Sequence, residues 1–185
     1  MIPGLCEMDI SALVERRNFV EAMYYGGIQA MLNPSAQLHL CVGIACCAAI
    51  KPIAELERYA LAFQKGESYE PRGSCLGVRR STRLVSEGME HFVAAIGLDP
   101  AIQVPESLRE VAAEVLRDLA DYARQDFKAF PASELPYTLR EAAYAAVVLL
   151  RRLLPDTESE PLADFSAWNI EVGERFVEQR LLQRG

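Results

Sequence analysis

Residues 35–50 read Ser-Ala-Gln-Leu-His-Leu-Cys-Val-Gly-Ile-Ala-Cys-Cys-Ala-Ala-Ile. Ser35 follows Asn33-Pro34 and is a residue type that favours the N-cap of a helix. From residue 38 to residue 50 the segment is apolar nearly all round, which is typical of a helix buried on most sides. At roughly 15 residues it is shorter than the roughly 20 that a bilayer requires. These residues therefore predict a core helix rather than a membrane span.

Apolar residues on both sides of this segment recur with the helical period of 3.6, and the chain lacks the strict alternation of half-buried strands. We expect one all-α domain over residues 1–185, a compact bundle of about six helices without a β-sheet. The uncharged residues 142–150 favour a central position for the fifth helix. The expected helices span residues 9–32 and 35–66, with a break at Pro52 in the second. The third starts between residues 74 and 81 and runs to 96, with Gly97 as the stop. The others span 106–130, from 136 or 137 to 154, and from about 164 or 166 onward.

The first helix is predicted to begin at Asp9 or Ser11 and to stop at Asn33-Pro34. Gly26 and Gly27 lie in its interior, where each glycine costs roughly 1 kcal/mol relative to alanine. We therefore expect a close helix crossing or a kink at this point. The residues predicted to be buried are Ile10, Leu13, Val14, Val20, Met23, Tyr24, Ile28 and Met31.

The composition excludes several classes of protein. The chain has 26 acidic and 19 basic residues, a net charge of -7, and its mean hydropathy is +0.05. An acidic chain of this kind is neither a nucleic-acid binder held by bulk positive charge nor a disordered acidic tail. Glu7 and Asp9 precede the first basic residue, Arg16, which is the wrong charge pattern for a secretory signal. We expect a cytoplasmic protein with no direct nucleic-acid contact and no membrane association.

No pattern of catalytic or metal-binding residues stands out. Three of the five cysteines lie in the apolar segment, where small buried hydrophobic residues are expected, and Cys41 and Cys46 point about 140° apart on a helix. His39 and His91 are isolated in sequence and favour structural roles. Paired Cys-x-x-Cys spacings and phosphate-binding glycine motifs are absent from the sequence. The sequence predicts no metal, no cofactor, no catalytic residue and no enzyme activity.

A basic cluster lies at the predicted start of the third helix. Residues 71–92 contain four arginines and two acidic residues, in an otherwise acidic chain. Cations at a helix N-terminus oppose the helix dipole. Their positive charge should be compensated either by a partner, an anion or a protein, or by acidic residues of the chain itself. Arg83 is placed to pair with Glu87 one turn later. The candidate partner-binding residues of this cluster are Tyr69, Arg72, Arg79, Arg80 and Arg83.

An acidic stripe follows on the fourth predicted helix. Its residues are spaced by four, four, four and three, so they stack on one face. Such a face is either simply solvated or complementary to a basic partner. The stripe begins at Glu106, and its candidate partner-binding residues are Glu110, Glu114, Asp118 and Asp121.

Two functions remain open from the sequence. The first is a non-enzymatic protein-binding module, a small acidic inhibitor or immunity-type protein that neutralises a protein partner such as a basic toxin or effector. Bacterial immunity proteins and phage anti-defence proteins share this size and acidity, although no motif matches them. The alternative is a bundle that binds a small apolar ligand as a sensor or regulator, in a pocket lined by Tyr24, Tyr25 and the cysteine-rich helix.

Overall fold

The computed structural model describes residues 9–50, 62, 64–66, 78–129, 137–154 and 167–183, leaving aside the side chains of residues 78–82, 121–129, 137–143 and 167–169. These residues form seven α-helices and one 3₁₀ turn, Glu106–Leu108, and no strand occurs among them. The expected all-α bundle is confirmed. The helices are α1 (Ile10–Glu15), α2 (Phe19–Leu32), α3 (Ala36–Ala48), α4 (Val78–Leu98), α5 (Arg109–Ala129), α6 (Tyr137–Leu153) and α7 (Ala167–Leu182).

Ser35 caps its helix as predicted, and of the two candidates Asp9 and Ser11 the structure has Asp9 as the N-cap of the first helix. The Asp9 carboxylate accepts a hydrogen bond from the Ala12 amide at 3.2 Å and caps α1. The Ser35 hydroxyl accepts one from the Leu38 amide, also at 3.2 Å, and caps α3. Each cap satisfies a backbone amide that the first helical turn would leave unpaired.

The prediction of one helix over residues 9–32 is wrong, because the chain turns between α1 and α2. The Asn18 amide donates to the Leu13 carbonyl at 2.9 Å, and the Arg17 amide donates to the Val14 carbonyl at 3.0 Å. This pair of bonds is the Schellman motif that ends many helices. Arg17 takes the left-handed position of the motif, with φ +62°, where glycine is usual. A search of the sequence for glycine or proline therefore does not find this turn.

Helix α3 lies in the core, as its apolar sequence predicts. Every residue from 40 to 47 is buried, and α3 contacts α1, α2, α4 and α5. Helix α4 crosses it closely, since a Cβ added at Gly43 would lie 2.5 Å from Phe92 Cε1 and 3.1 Å from the Gly88 carbonyl oxygen. Glycine at positions 43 and 88 thus lets the two backbones approach each other.

The remaining helices agree with the predicted segments apart from one boundary. Helix α4 continues through Gly97 to Leu98 instead of stopping at Gly97, because a single glycine does not by itself end a helix. Gly66 has φ +66°, the conformation expected for a glycine that ends a helix. The predicted break at Pro52 lies outside the described residues.

A continuous apolar core joins all seven helices. Val111, Val115 and Leu119 of α5 are buried, as are Val172 and Phe176 of α7. The central position of α6 stays a prediction, although α6 contacts α4, α5 and α7. The single domain over residues 1–185 is likewise still a prediction. Within the described part of the chain, no helix has both the length and the apolarity to span a membrane.

Candidate protein-binding surface

Large apolar side chains lie exposed along one face of α2. Val20, Tyr24 and Met31 expose 41%, 63% and 78% of their surface. With Gly27 they fall within about 60° of arc on the helix and extend over roughly 16 Å. We call residues 20, 24, 27 and 31 the α2 ridge. Exposed tyrosine and methionine in one continuous strip are typical of protein-binding surfaces.

The sequence wrongly predicted that Val20, Tyr24 and Met31 are buried. The buried face of α2 instead carries the small residues Ala22, Gly26 and Ala30. A Cβ added at Gly26 would lie only 2.6 Å from Val42 Cγ2 of α3. Small residues allow α2 to approach α3 this closely, so the larger apolar residues turn outward. The missed signal is the four-residue spacing of the small residues at 22, 26 and 30.

An ion pair joins the turn before α2 to α5. The two guanidinium nitrogens of Arg17, Nη1 and Nη2, donate to the Glu114 carboxylate oxygens at 2.6 and 2.9 Å. This hydrogen bond and the negative charge of Glu114 raise the pKa of Arg17, and Glu110 adds to the effect. Val20, the first residue of the ridge, follows Arg17 by three positions in the chain.

The predicted acidic stripe lies at the surface over its described length. Glu110 is exposed, and Glu114 and Asp118 are half-buried. Glu106 pairs with Arg109 at 3.0 Å, and Glu114 pairs with Arg17, so part of the negative charge is compensated within the chain. The side chain of Asp121 lies outside the described residues.

Arg83 is the one residue of the predicted arginine cluster whose side chain the structure describes. Arg83 Nε lies 2.7 Å from Glu87 Oε1, the pairing predicted from their spacing. The hydrogen bond to Glu87 and its charge raise the pKa of Arg83. Tyr69 and Arg72 lie outside the described residues, as do the side chains of Arg79 and Arg80. The partner-binding role of this cluster stays a prediction.

A half-open cavity of about 310 Å³ lies where the start of α1, the end of α2 and the start of α3 meet. Ile10, Leu32 and Leu38 supply apolar lining, and Ser11 and Gln37 supply polar groups. Cys41 is the contribution of the cysteine-rich helix. Tyr24 and Tyr25, which the sequence places in a pocket, stack edge to face with ring centroids 5.3 Å apart instead and do not line this cavity.

The described cysteines are buried, as predicted. Burial raises the pKa of the Cys41 thiol to about 11 and that of Cys46 to about 12, and it raises the pKa of Cys47 well above its ordinary value. Such thiols are poor nucleophiles at neutral pH. Cys6 and Cys75 lie outside the described residues. Within the described ranges, no three or more histidine, cysteine, aspartate or glutamate residues are grouped to hold a metal ion.

The chain matches no family of known proteins, no curated protein and no solved structure. A function for this helical bundle must therefore be argued from its own surface.

Proposed function

We propose that this protein is a protein-binding module, a small acidic inhibitor or immunity-type protein, and that a basic protein partner docks on the α2 ridge. The observation that supports it is the exposure of Tyr24 and Met31 beside Val20 on one helix face. Binding energy at protein interfaces concentrates in a few large side chains, tyrosine prominent among them. A ridge of this kind fits an apolar groove on the partner.

The charge of the chain indicates the chemistry of that partner. The net charge is -7. On α5, Glu110 is exposed and Asp118 is half-buried, one turn before and one turn after Glu114, which binds Arg17. Negative charge beside an apolar contact accelerates association with a positively charged protein and repels acidic ones. A basic toxin or effector protein satisfies both requirements.

The test begins with affinity capture from the native host and purification of the captured protein. Its affinity is then measured for the wild type and for Tyr24→Ala with Met31→Ala. We expect the double variant to lose at least about tenfold in affinity, the effect of removing one or more central contact residues. Leu98→Ala with Leu182→Ala removes two exposed apolar side chains elsewhere and should leave affinity unchanged.

Charge is tested separately with Glu110→Lys and Asp118→Lys. We expect slower association, with a weaker dependence on salt, and little change in dissociation. An acidic or neutral captured protein would contradict the proposal. So would equal affinities of the wild type and the ridge variant. Arg79→Glu with Arg80→Glu tests the arginine cluster, and loss of binding by this variant alone would move the interface away from α2.

A second candidate function is binding of a small ligand in the cavity between α1, α2 and α3. Its volume of about 310 Å³ supports this alternative, since ligand pockets begin at about this size. A thermal-shift screen of common metabolites tests it. Stabilisation by one compound, abolished when Ser11→Phe fills the cavity, would favour the sensor; no stabilisation by any compound would count against it.

A further inference from the structure

The antiparallel contact between α3 and α4 brings the two histidines of the chain together. His39 Nδ1 lies 2.8 Å from His91 Nδ1, with ring centroids 5.0 Å apart and an angle of 38° between the rings. The sequence separates them by 52 positions and predicted isolated structural roles. One turn away, Gly43 and Gly88 let the two backbones lie close together.

A hydrogen bond between two Nδ1 atoms requires one proton between them. One imidazole donates from Nδ1, and the other accepts with its Nδ1 lone pair. This arrangement holds when both rings are neutral and also when one of them is an imidazolium. When both rings are protonated, the accepting lone pair is lost, and two N–H groups and two positive charges face each other. The doubly protonated pair is therefore incompatible with the observed contact.

The dipole of α3 disfavours a second positive charge at the pair. His39 lies in the first turn of α3, where the helix dipole opposes cations, and α3 contains no charged residue. On α4, Glu87 already binds Arg83 at 2.7 Å, and Glu90 lies 3.4 Å from Arg180 of α7.

Helix α1 also packs on α3, and the negative charges of its N-cap Asp9 and of Glu15 act on Cys41 of α3. Glu21 of α2 lies in its first turn, away from the turn that joins α2 to α3. The described charged side chains of α6 are Arg151 and Arg152, in its last turn. On α5 the described charged side chains lie at least partly exposed, on the side away from the core.

We propose that His39 and His91 form a pH-sensitive lock between α3 and α4, which stays closed while the two imidazoles share one proton and opens when both are protonated. Opening separates the first turn of α3 from α4. The core around Phe92, which packs against Gly43, is then exposed to water.

The sign of the pH dependence follows from proton binding. In the unfolded chain both histidines titrate near pH 6.5 and bind two protons below it, whereas the closed pair binds at most one. The unfolded state therefore gains more protons as the pH falls, and stability present above pH 6.5 is lost below it. We expect the unfolding equilibrium constant to rise by up to about tenfold per pH unit below pH 6.

Denaturant titrations between pH 7.5 and pH 5.0 test this expectation. The control is the variant with both His39→Gln and His91→Gln, whose side chains hydrogen-bond but do not titrate. Protonation of carboxylates affects both proteins alike, so the ratio of their unfolding constants isolates the pair. We expect the wild type to lose stability relative to the control below pH 6. A constant ratio over the whole range would overturn the proposal.

A second measurement needs no variant. Imidazole nitrogen chemical shifts in the native wild type, followed by NMR over the same range, count the protons that the pair binds. We expect one proton at most to bind before hydrogen exchange of residues 36–40 accelerates. Two rings that both protonate near pH 6.5, with unchanged exchange, would refute the lock even if the variants failed to fold.

Discussion

Replacing the adjacent glycines of α2 by alanine, one at a time, separates helix propensity from tertiary packing. Both positions lie inside the same helix, and alanine there is favoured by about 1 kcal/mol over glycine in each case. Their surroundings differ. A Cβ added at Gly27 meets no described atom within 4 Å beyond its chain neighbours and the adjacent backbone of α2, whereas one added at Gly26 meets Val42 Cγ2 at 2.6 Å and Ile10 Cγ2 at 3.1 Å.

The magnitude follows from these distances. Carbon atoms pack best at about 3.5–4.0 Å, so Gly26→Ala forces α2, or the buried and β-branched Val42, to move by roughly 1 Å. Overpacking of this kind costs about 1–3 kcal/mol. We expect Gly27→Ala to stabilise the fold by up to about 1 kcal/mol. Gly26→Ala should be less stable than Gly27→Ala by about 1–3 kcal/mol, the full overpacking cost.

Urea titrations followed by circular dichroism at pH 7.4 measure both variants against the wild type. Val42→Ala, combined with Gly26→Ala, makes room for the added methyl group, so the two changes should couple favourably by about 1 kcal/mol. Equal shifts in stability for the two glycine variants would refute the close crossing at Gly26. Additivity of the Gly26 and Val42 substitutions would refute the contact itself.

Three further predictions follow from other contacts. Arg17→Gly and Arg17→Ala both remove the ion pair to Glu114, but only glycine adopts φ +62° without steric strain. The melting temperature of Arg17→Gly in thermal denaturation should therefore be higher than that of Arg17→Ala by about 2–4 °C. Equal melting temperatures would contradict a strained turn. Gly173→Ala brings a Cβ within 2.9 Å of the Tyr144 backbone. In urea titrations it should therefore destabilise the fold by more than Gly97→Ala does. Gly97 is the control, because the described residues leave open space around a Cβ added there. Burial raises the pKa of Cys46 to about 12. Its thiol, like those of Cys41 and Cys47, thus stays protonated in the fold after the unfolded thiols ionise near pH 8.5, and stability should fall as the pH rises above 9. At most two of the five thiols should react rapidly with a thiol reagent before unfolding, and faster reaction of a third would contradict their burial.

The candidate binding surface illustrates where reasoning from the sequence succeeds and where it fails. The acidic face of α5 was predicted because its charged and apolar residues separate cleanly by helical period. The α2 ridge was missed because both faces of α2 contain apolar residues, and hydrophobicity alone assigned the larger ones to the core. The choice depends on how closely α2 approaches α3, a distance that the sequence of α2 does not contain.

The sequence by itself determined the all-α class, the cap at Ser35, the burial of α3 and the pairing of Arg83 with Glu87. Each of these depends on residues within a few positions of one another, where backbone geometry sets the spacing. Only the tertiary structure decided that Arg17 binds Glu114, that His39 meets His91 and that Tyr24 faces solvent. The first two join distant segments of the chain. Gly43 and Gly88 bring α3 and α4 close enough for His39 and His91 to meet, and Gly26 lets α2 lie against α3 with its small residues inward, so that Tyr24 faces solvent.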